Sequence, residues 1–290
     1  MTITISEDPE FAEEFEKAAI AMYEENNRKR IADGKLHIAD ITFCVRKQLI
    51  PQIFPSQAGL NIYDTSNFMR GSGAESAIVP VLEYRYKGQD NEFQMDIQFD
   101  NVTGHPDFIN KTNGIVFEIK NTNAQESLKI DSDNLKSYNR QVIYYMLLTG
   151  MTEGKVIVQY GLPFNMEYNK ENRHHKVTYR KHMNHSPYFF YKIHISADEP
   201  LRNNIRYILN DVIRPVMQQA VRERDLTIIP VLKEKKDNHW KCTTCSFKKT
   251  CSMIPDKQTN ETLRNLLLNV HIDNLITIEY GQDGPGDKKS

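Results

Sequence analysis

The feature that most constrains this chain is a pair of short apolar runs with charged residues set into them. The first is Gly104-His105-Pro106-Asp107-Phe108, and one turn later comes Val116-Phe117-Glu118-Ile119-Lys120. Side chains alternate along a strand, so Glu118 and Lys120 share one face while Phe117 and Ile119 take the other, toward a core. If residues 102–109 pair antiparallel with 115–122 through a turn near Thr112, Asp107 falls almost opposite Glu118 and two carboxylates converge. Carboxylates this close push one pKa up, and a divalent cation relieves the repulsion by neutralising both. Hard oxygen ligands suit Mg2+ or Mn2+. Such an ion lowers the pKa of a bound water and steadies charge on a phosphate, while a nearby lysine orients that water or offsets further charge. A plain edge hairpin with surface Glu and Lys is the other reading of these residues by themselves.

The surrounding pattern predicts a helix over residues 8–32, where Phe11, Phe15, Ala18, Ala19 and Tyr23 recur at helical spacing, and a short helical stretch over 66–78. Strands are predicted over 79–86, 93–99, 102–109 and 115–122, a meander broken by polar turns. A helix over 133–148 has Asp or Ser at its start and Gly150 past its end. Further strands are expected at 155–161, 175–181 and 188–195, a long helix at 199–223, and another helix near 259–269. This order of helices and strands implies an α/β or α+β core. Residues 281–290 read as a disordered tail.

On these residues the chain resembles the PD-(D/E)XK nucleases, and within them the RecB-like branch. Asp107 matches the first acidic position and Glu118-Ile119-Lys120 the E-x-K element. Gly71-Ser-Gly-Ala-Glu75 lies where that branch carries G-x-x-x-H, with glutamate in place of the metal-binding histidine. Gln141-Val-Ile-Tyr-Tyr145 matches the Q-h-x-x-Y signature, whose two polar residues share one helix face. The resemblance implies metal ligation by Asp107, Glu118 and Ile119, with Glu75 as an added ligand. It also implies catalytic assistance by Lys120 and substrate placement by Gln141 and Tyr145. From spacing alone, Glu75 could equally be a solvated helix carboxylate, Gln141 a surface residue and Tyr145 a packing aromatic.

Every cysteine belongs to one pattern: Cys44 near the start, then Cys242, Cys245 and Cys251 as C-x2-C-x5-C. Four thiolates complete an iron-sulfur cluster or a tetrahedral zinc, and two disulfides are the third possibility. One distant cysteine joined to a C-terminal triplet resembles the iron-sulfur RecB-like nucleases. These include CRISPR-associated exonucleases of the Cas-four type, the AddB nuclease domain and eukaryotic nuclease-helicases of replication. Cys44-Val-Arg46, Trp240 and Phe247 fit the same neighbourhoods. The resemblance runs over about residues 40–252 and implies a structural cluster, of the 4Fe-4S type, that staples the chain ends around the core.

The implied fold class is α/β: a restriction-endonuclease-like core, with a central mixed β-sheet flanked by helices, an N-terminal helical segment and a C-terminal cluster-binding region. The implied division is a helical extension over 1–39, a nuclease domain over 40–252, a C-terminal helical extension over 253–280, and the tail. The implied activity is metal-dependent hydrolysis of DNA, exonucleolytic on single-stranded or end-bearing substrates. A non-catalytic nucleic-acid-binding or assembly subunit of a CRISPR-adaptation or recombination complex is the alternative, and other proteins of such complexes, or of replication, are the implied partners.

Composition fits these readings without choosing between them. Lys plus Arg number 37 against 38 Asp plus Glu over 290 residues, so the chain lacks the global basic excess of a passive nucleic-acid coat. No run approaches the roughly 20 apolar residues that span a bilayer, and the first residues carry no secretory pattern, so a cytoplasmic location is expected. The densest basic segment holds Lys170, Arg173, Lys176, Arg180 and Lys181 with interleaved histidines and aromatics. It suits contact with a single strand, or a solvated hairpin.

Overall fold

The computed structural model describes residues 9–32, 35–54, 62–122, 132–160, 164–169, 174–179, 188–195, 199–231, 242, 245–257 and 260–275. In chain order the elements begin with α1 (Pro9–Ala32), β1 (Leu36–His37), α2 (Ile38–Phe43), α3 (Val45–Ile53) and α4 (Ile62–Arg85). Then come β2 (Asn91–Phe93), β3 (Ile97–Phe99), β4 (Val102–Gly104), β5 (Phe108–Asn110), β6 (Ile115–Thr122) and α5 (Asp133–Thr149). They continue with β7 (Glu153–Tyr160), β8 (Phe164–Asn169), β9 (His174–Tyr179), β10 (Tyr188–His194), α6 (Glu199–Tyr207) and α7 (Arg214–Glu223). Short helices Lys248–Met253, Glu261–Leu267 and Val270–Asp273 follow.

The fold class is the expected one, a central mixed sheet with helices on both faces. Five strands lie in the order β10-β7-β6-β5-β2. Within this sheet only β6 and β7 pair in parallel, because α5 carries the chain back across the sheet between them. α4 covers one face, with Ala74, Ile78, Val79, Leu82 and Tyr86 against Phe108, Phe117, Ile119 and Ile157. α5 covers the other, with Val142, Ile143 and Met146 in one core with Ile109, Val116, Val156 and Val158. β6 therefore has no solvent face over its first half, and every side chain from Ile115 to Ile119 is buried.

α5 is fixed at both ends by the caps its sequence implies. Ser132 Oγ accepts from Leu135 N at 3.1 Å, and Gly150 takes φ 81° while its N–H reaches Met146 O. A Cβ on Gly154 would lie 2.4 Å from Val142 Cγ1, so that glycine lets α5 sit close on β7.

Three strand expectations are corrected. Residues 79–86 are not a strand but the end of α4, because the residues that reach the core, Ala74, Ile78 and Leu82, are four apart. Residues 93–99 are split by Gln94, whose φ of 46° turns the chain out of the extended region. Residues 102–109 are split at His105-Pro106. Proline has no N–H for a ladder, and β4 joins β1 and β3 in a separate small sheet while β5 alone pairs with β6. The long helix over 199–223 is interrupted by a π-helical turn, Ile208–Ile213, just before Pro215, and Arg214 N there reaches Leu209 O five residues back. β8 lies outside the predicted strands and forms a hairpin with β9. The side chains of the basic segment around 170–181 fall outside the described residues, as do Trp240 and the tail over 281–290. Among the described residues no helix is long and apolar enough to cross a membrane.

Candidate active site

The polar cluster is built where β5, β6 and α5 meet. Phe108 pairs with Phe117, so Asp107, one residue outside the ladder, stands at the position facing Glu118. Asp107 Oδ2 accepts from Ile119 N at 2.6 Å, which pins the carboxylate to β6. Glu118 is 1% exposed; its Oε1 pairs with Lys120 Nζ. Its Oε2 is buried and accepts no hydrogen bond from the described residues. An unsatisfied buried carboxylate oxygen costs on the order of 1–3 kcal/mol or more unless something else meets it.

Glu75 on α4 completes the acidic group, held by Gln94 Nε2 at 3.4 Å. Burial is the main cause of each carboxylate's raised pKa. It lifts Asp107, with the Lys120 charge and the Ile119 amide opposing. Burial and then Asp107 push Glu118 up to about 8 and Glu75 to about 7. For Lys120, burial disfavours the charge, but Glu118 and Asp107 outweigh it and hold the ammonium above its ordinary pKa. The ammonium also sits 5.9 Å from the centre of the Tyr138 ring.

Gln141 and Tyr145 come from α5 to the same place. Gln141 Nε2 donates to Tyr145 Oη at 2.8 Å, and the Tyr145 hydroxyl is 3.5 Å from His105 O. Burial, then the charge of Glu118, keep the phenol firmly protonated. A Cβ at Gly104 would lie 2.5 Å from Tyr145 Cε1 and 3.0 Å from Cδ1, so the glycine is what admits the ring. The structure thus brings together Asp107, Glu118, Ile119, Lys120, Glu75, Gln141 and Tyr145. Asp107 and Glu118 form a facing pair, with Glu75 in their field. Among the described residues no group of three or more His, Cys, Asp or Glu side chains is drawn together tightly enough to hold a metal by itself.

Sequence reasoning did not pick out Gln94, the carbonyl of His105 or Tyr138. Only Tyr138 left a signal, since it lies seven residues before Tyr145 and so on the same helix face.

The four cysteines are each half-buried. α3, which begins just after Cys44, packs against the helix Lys248–Met253 that carries Cys251, and Cys245 and Cys251 rest on one core. The fully buried Arg46 ties these parts together. Its Nε donates to Ile229 O at 2.6 Å and its Nη atoms to Ile254 O and Pro255 O at 3.1 Å, with Nη1 3.9 Å from Cys251 Sγ. Arg46, which the sequence marked only as a neighbour of Cys44, thus ties α3 to residues 229 and 254–255 by protein contacts of its own.

No protein-family model matches the chain, and no curated protein is similar to it in sequence. Among solved structures it is similar to the crystal structure of SSO0001, at 14% identity and a TM-score of 0.43, over 79% of this chain and 96% of that one. It is also similar to an alkaline exonuclease from Laribacter hongkongensis, at 13% and 0.39 over 73% and 95% of the two chains. A phage-related exonuclease from Haemophilus somnus 129PT matches at 12% and 0.43, over 65% and 96%. These likenesses are remote, so the chemistry rests on the chain's own residues.

Proposed function

We propose that this chain is a divalent-metal-dependent nuclease that hydrolyses DNA phosphodiesters, acting as an exonuclease on single-stranded or end-bearing DNA. The observation that carries the reading is the buried Oε2 of Glu118, without a donor among the described residues, on a side chain opposite Asp107 and beside a lysine. A group of hard oxygens with a spare buried acceptor fits Mg2+ or Mn2+. Asp107, Glu118 and Ile119 would hold the ion, with Glu75 as an added ligand. Once bound, it supplies a more acidic water and a counter-charge for the phosphate.

The remaining work falls to the chain. Ile119 N keeps the Asp107 carboxylate turned toward Glu118. Lys120 stays charged and offsets negative charge as the phosphate becomes pentacovalent. Gln141 and Tyr145 form one donor pair that places the strand. Because burial raises the pKa of both Glu118 and Glu75, protons compete with the ion for these oxygens, and affinity rises with pH.

The four thiolates are a suitable donor set for an iron-sulfur cluster of the 4Fe-4S type, with Arg46 already joining the segments that bear Cys44 and Cys251. Supporting this is the approach of α3 to the helix carrying Cys251. Among the described residues the thiols are not gathered into a ligand shell, so binding a cluster would draw the four together. Protein purified without oxygen is expected to be brown with about four irons per chain; colourless protein with one zinc would replace the assignment.

The reading is tested by end-labelled single-stranded, duplex and circular DNA incubated with Mg2+, Mn2+ or EDTA, comparing the wild type with Lys120→Ala. Metal-dependent digestion that spares circles and vanishes in the variant supports it. Binding without cleavage by metal-loaded protein moves the reading to a non-catalytic nucleic-acid-binding or assembly subunit.

A further inference from the structure

Within the segment after the last cysteine, residues 269–273 pack on the flank of α5, and their side chains make polar contacts to the residues next to the site. Arg140 and Tyr144 immediately precede Gln141 and Tyr145. Arg140 makes a two-point fork with Asp273, Nε to Oδ1 and Nη2 to Oδ2, each 2.6 Å. The fully buried Tyr144 hydroxyl donates to Asn269 Oδ1 at 2.8 Å and lies 3.2 Å from His271 Nε2. Asn269 is 3% exposed and sits at φ 62°, a conformation that asparagine tolerates. Its amide reaches back to Ile41 O at 2.8 Å on α2, three residues before Cys44.

One side chain therefore bridges the helix next to Cys44 and the helix that carries Gln141 and Tyr145. A second tie runs in parallel, from Ser137 Oγ to Thr42 O at 3.0 Å. Buried polar contacts of this kind set a discrete register, because a small slide of α5 leaves several groups unpaired at once. The same slide would carry Tyr145 away from His105 O.

We propose that Asn269 and the Arg140–Asp273 pair are positioning residues, which lock α5 against α2 and so fix Gln141 and Tyr145 over the metal-binding carboxylates. The proposal rests on the nuclease reading for its catalytic consequence, but its geometry stands independently of it. None of the three belongs to the carboxylate cluster. Their loss acts through Tyr145.

The test uses the full chain with its metals loaded. Asn269→Gly keeps the left-handed backbone and removes only the side-chain bridge, while Tyr144→Phe removes only the hydroxyl at its other end. Ile208→Val, a buried aliphatic trimming that removes none of the bridge's hydrogen bonds, serves as a control of comparable thermal destabilisation. Both bridge variants are expected to lower kcat by about 10- to 100-fold, as misplacement by an ångström does, with KM within about twofold. Their combination should cost little more than either alone. 3-Fluorotyrosine introduced at position 145 reports the geometry directly: its 19F resonance should move or broaden in the bridge variants and stay fixed in the control. A kcat loss no larger than that of Ile208→Val, or a resonance unmoved by Asn269→Gly, overturns the proposal. If the wild type cleaves no DNA, the nuclease reading fails, and the 19F signal alone decides the bridge: a shift supports it and an unmoved line refutes it.

Discussion

Replacing Gly104 by alanine tests the packing on which the site depends. The new methyl carbon would lie 2.5 Å from Tyr145 Cε1, 3.0 Å from Cδ1 and 3.4 Å from Ile38 Cγ1. Tyr145 has little room to retreat, being 1% exposed, between buried Tyr144 and Met146, and hydrogen-bonded to Gln141. Overpacking of this kind costs about 1–3 kcal/mol. Loss of the weak contact to His105 O adds up to about 1 kcal/mol. A total of about 1–4 kcal/mol corresponds to a fall in Tm of roughly 2–16 °C for a domain of this size. Urea unfolding of the metal-free protein should show the loss as a lower midpoint with an unchanged slope. Adding Tyr145→Leu removes the ring edge, so the double variant should recover at least about 1 kcal/mol against the sum of the single effects. A Gly104→Ala cost below about 0.5 kcal/mol, or strict additivity with Tyr145→Leu, would falsify the close approach of ring and strand.

The remaining predictions concern charge, metal and the buried guanidinium. In EDTA, Glu118 and Glu75 hold protons in the folded chain that they release on unfolding above about 4.5. Stability should therefore be greatest below that pH and fall as pH rises toward about 8, and saturating Mn2+ should flatten the slope; a pH-independent midpoint in EDTA speaks against buried, protonated carboxylates. Glu118→Gln keeps the shape but removes the charge. It is expected to weaken Mn2+ binding at least about tenfold by titration calorimetry while leaving the apo fold intact, and unchanged affinity would remove Glu118 from the ligand set. Arg46→Met strands the carbonyls of Ile229, Ile254 and Pro255, so a loss on the order of 3 kcal/mol is expected in thermal melts, with earlier proteolysis after residue 229. A neutral effect would mean that the guanidinium is not what ties α3 to residues 229 and 254–255.

How much of this was legible in the sequence depends on how local the cause is. The helix over 133–149 and its Ser132 and Gly150 caps were readable because capping uses residues within one turn. The facing of Asp107 and Glu118 was readable as well, since a tight turn fixes register and alternation fixes the face, and the ladder pairs Phe108 with Phe117. Residues 79–86 were misread because an apolar run rich in valine and tyrosine looks the same in a strand as at the end of a helix. What decides between them is a partner, the sheet under Ala74, Ile78 and Leu82.

By itself the sequence determined which groups could meet: Asp107, Glu118, Lys120 and one face of the helix carrying Gln141 and Tyr145, all within about forty residues joined by one turn, with Glu75 further upstream. Tertiary structure alone decided what those groups experience. Burial of Glu118 beneath α5, the glycine-shaped opening for Tyr145, the insertion of Arg46 under Ile254 and Pro255, and the bridge from Asn269 to both α2 and α5 join residues as much as 228 positions apart. No local pattern encodes such contacts, because they arise only when packed elements exclude water and leave each buried polar group to find the partner that folding puts within reach.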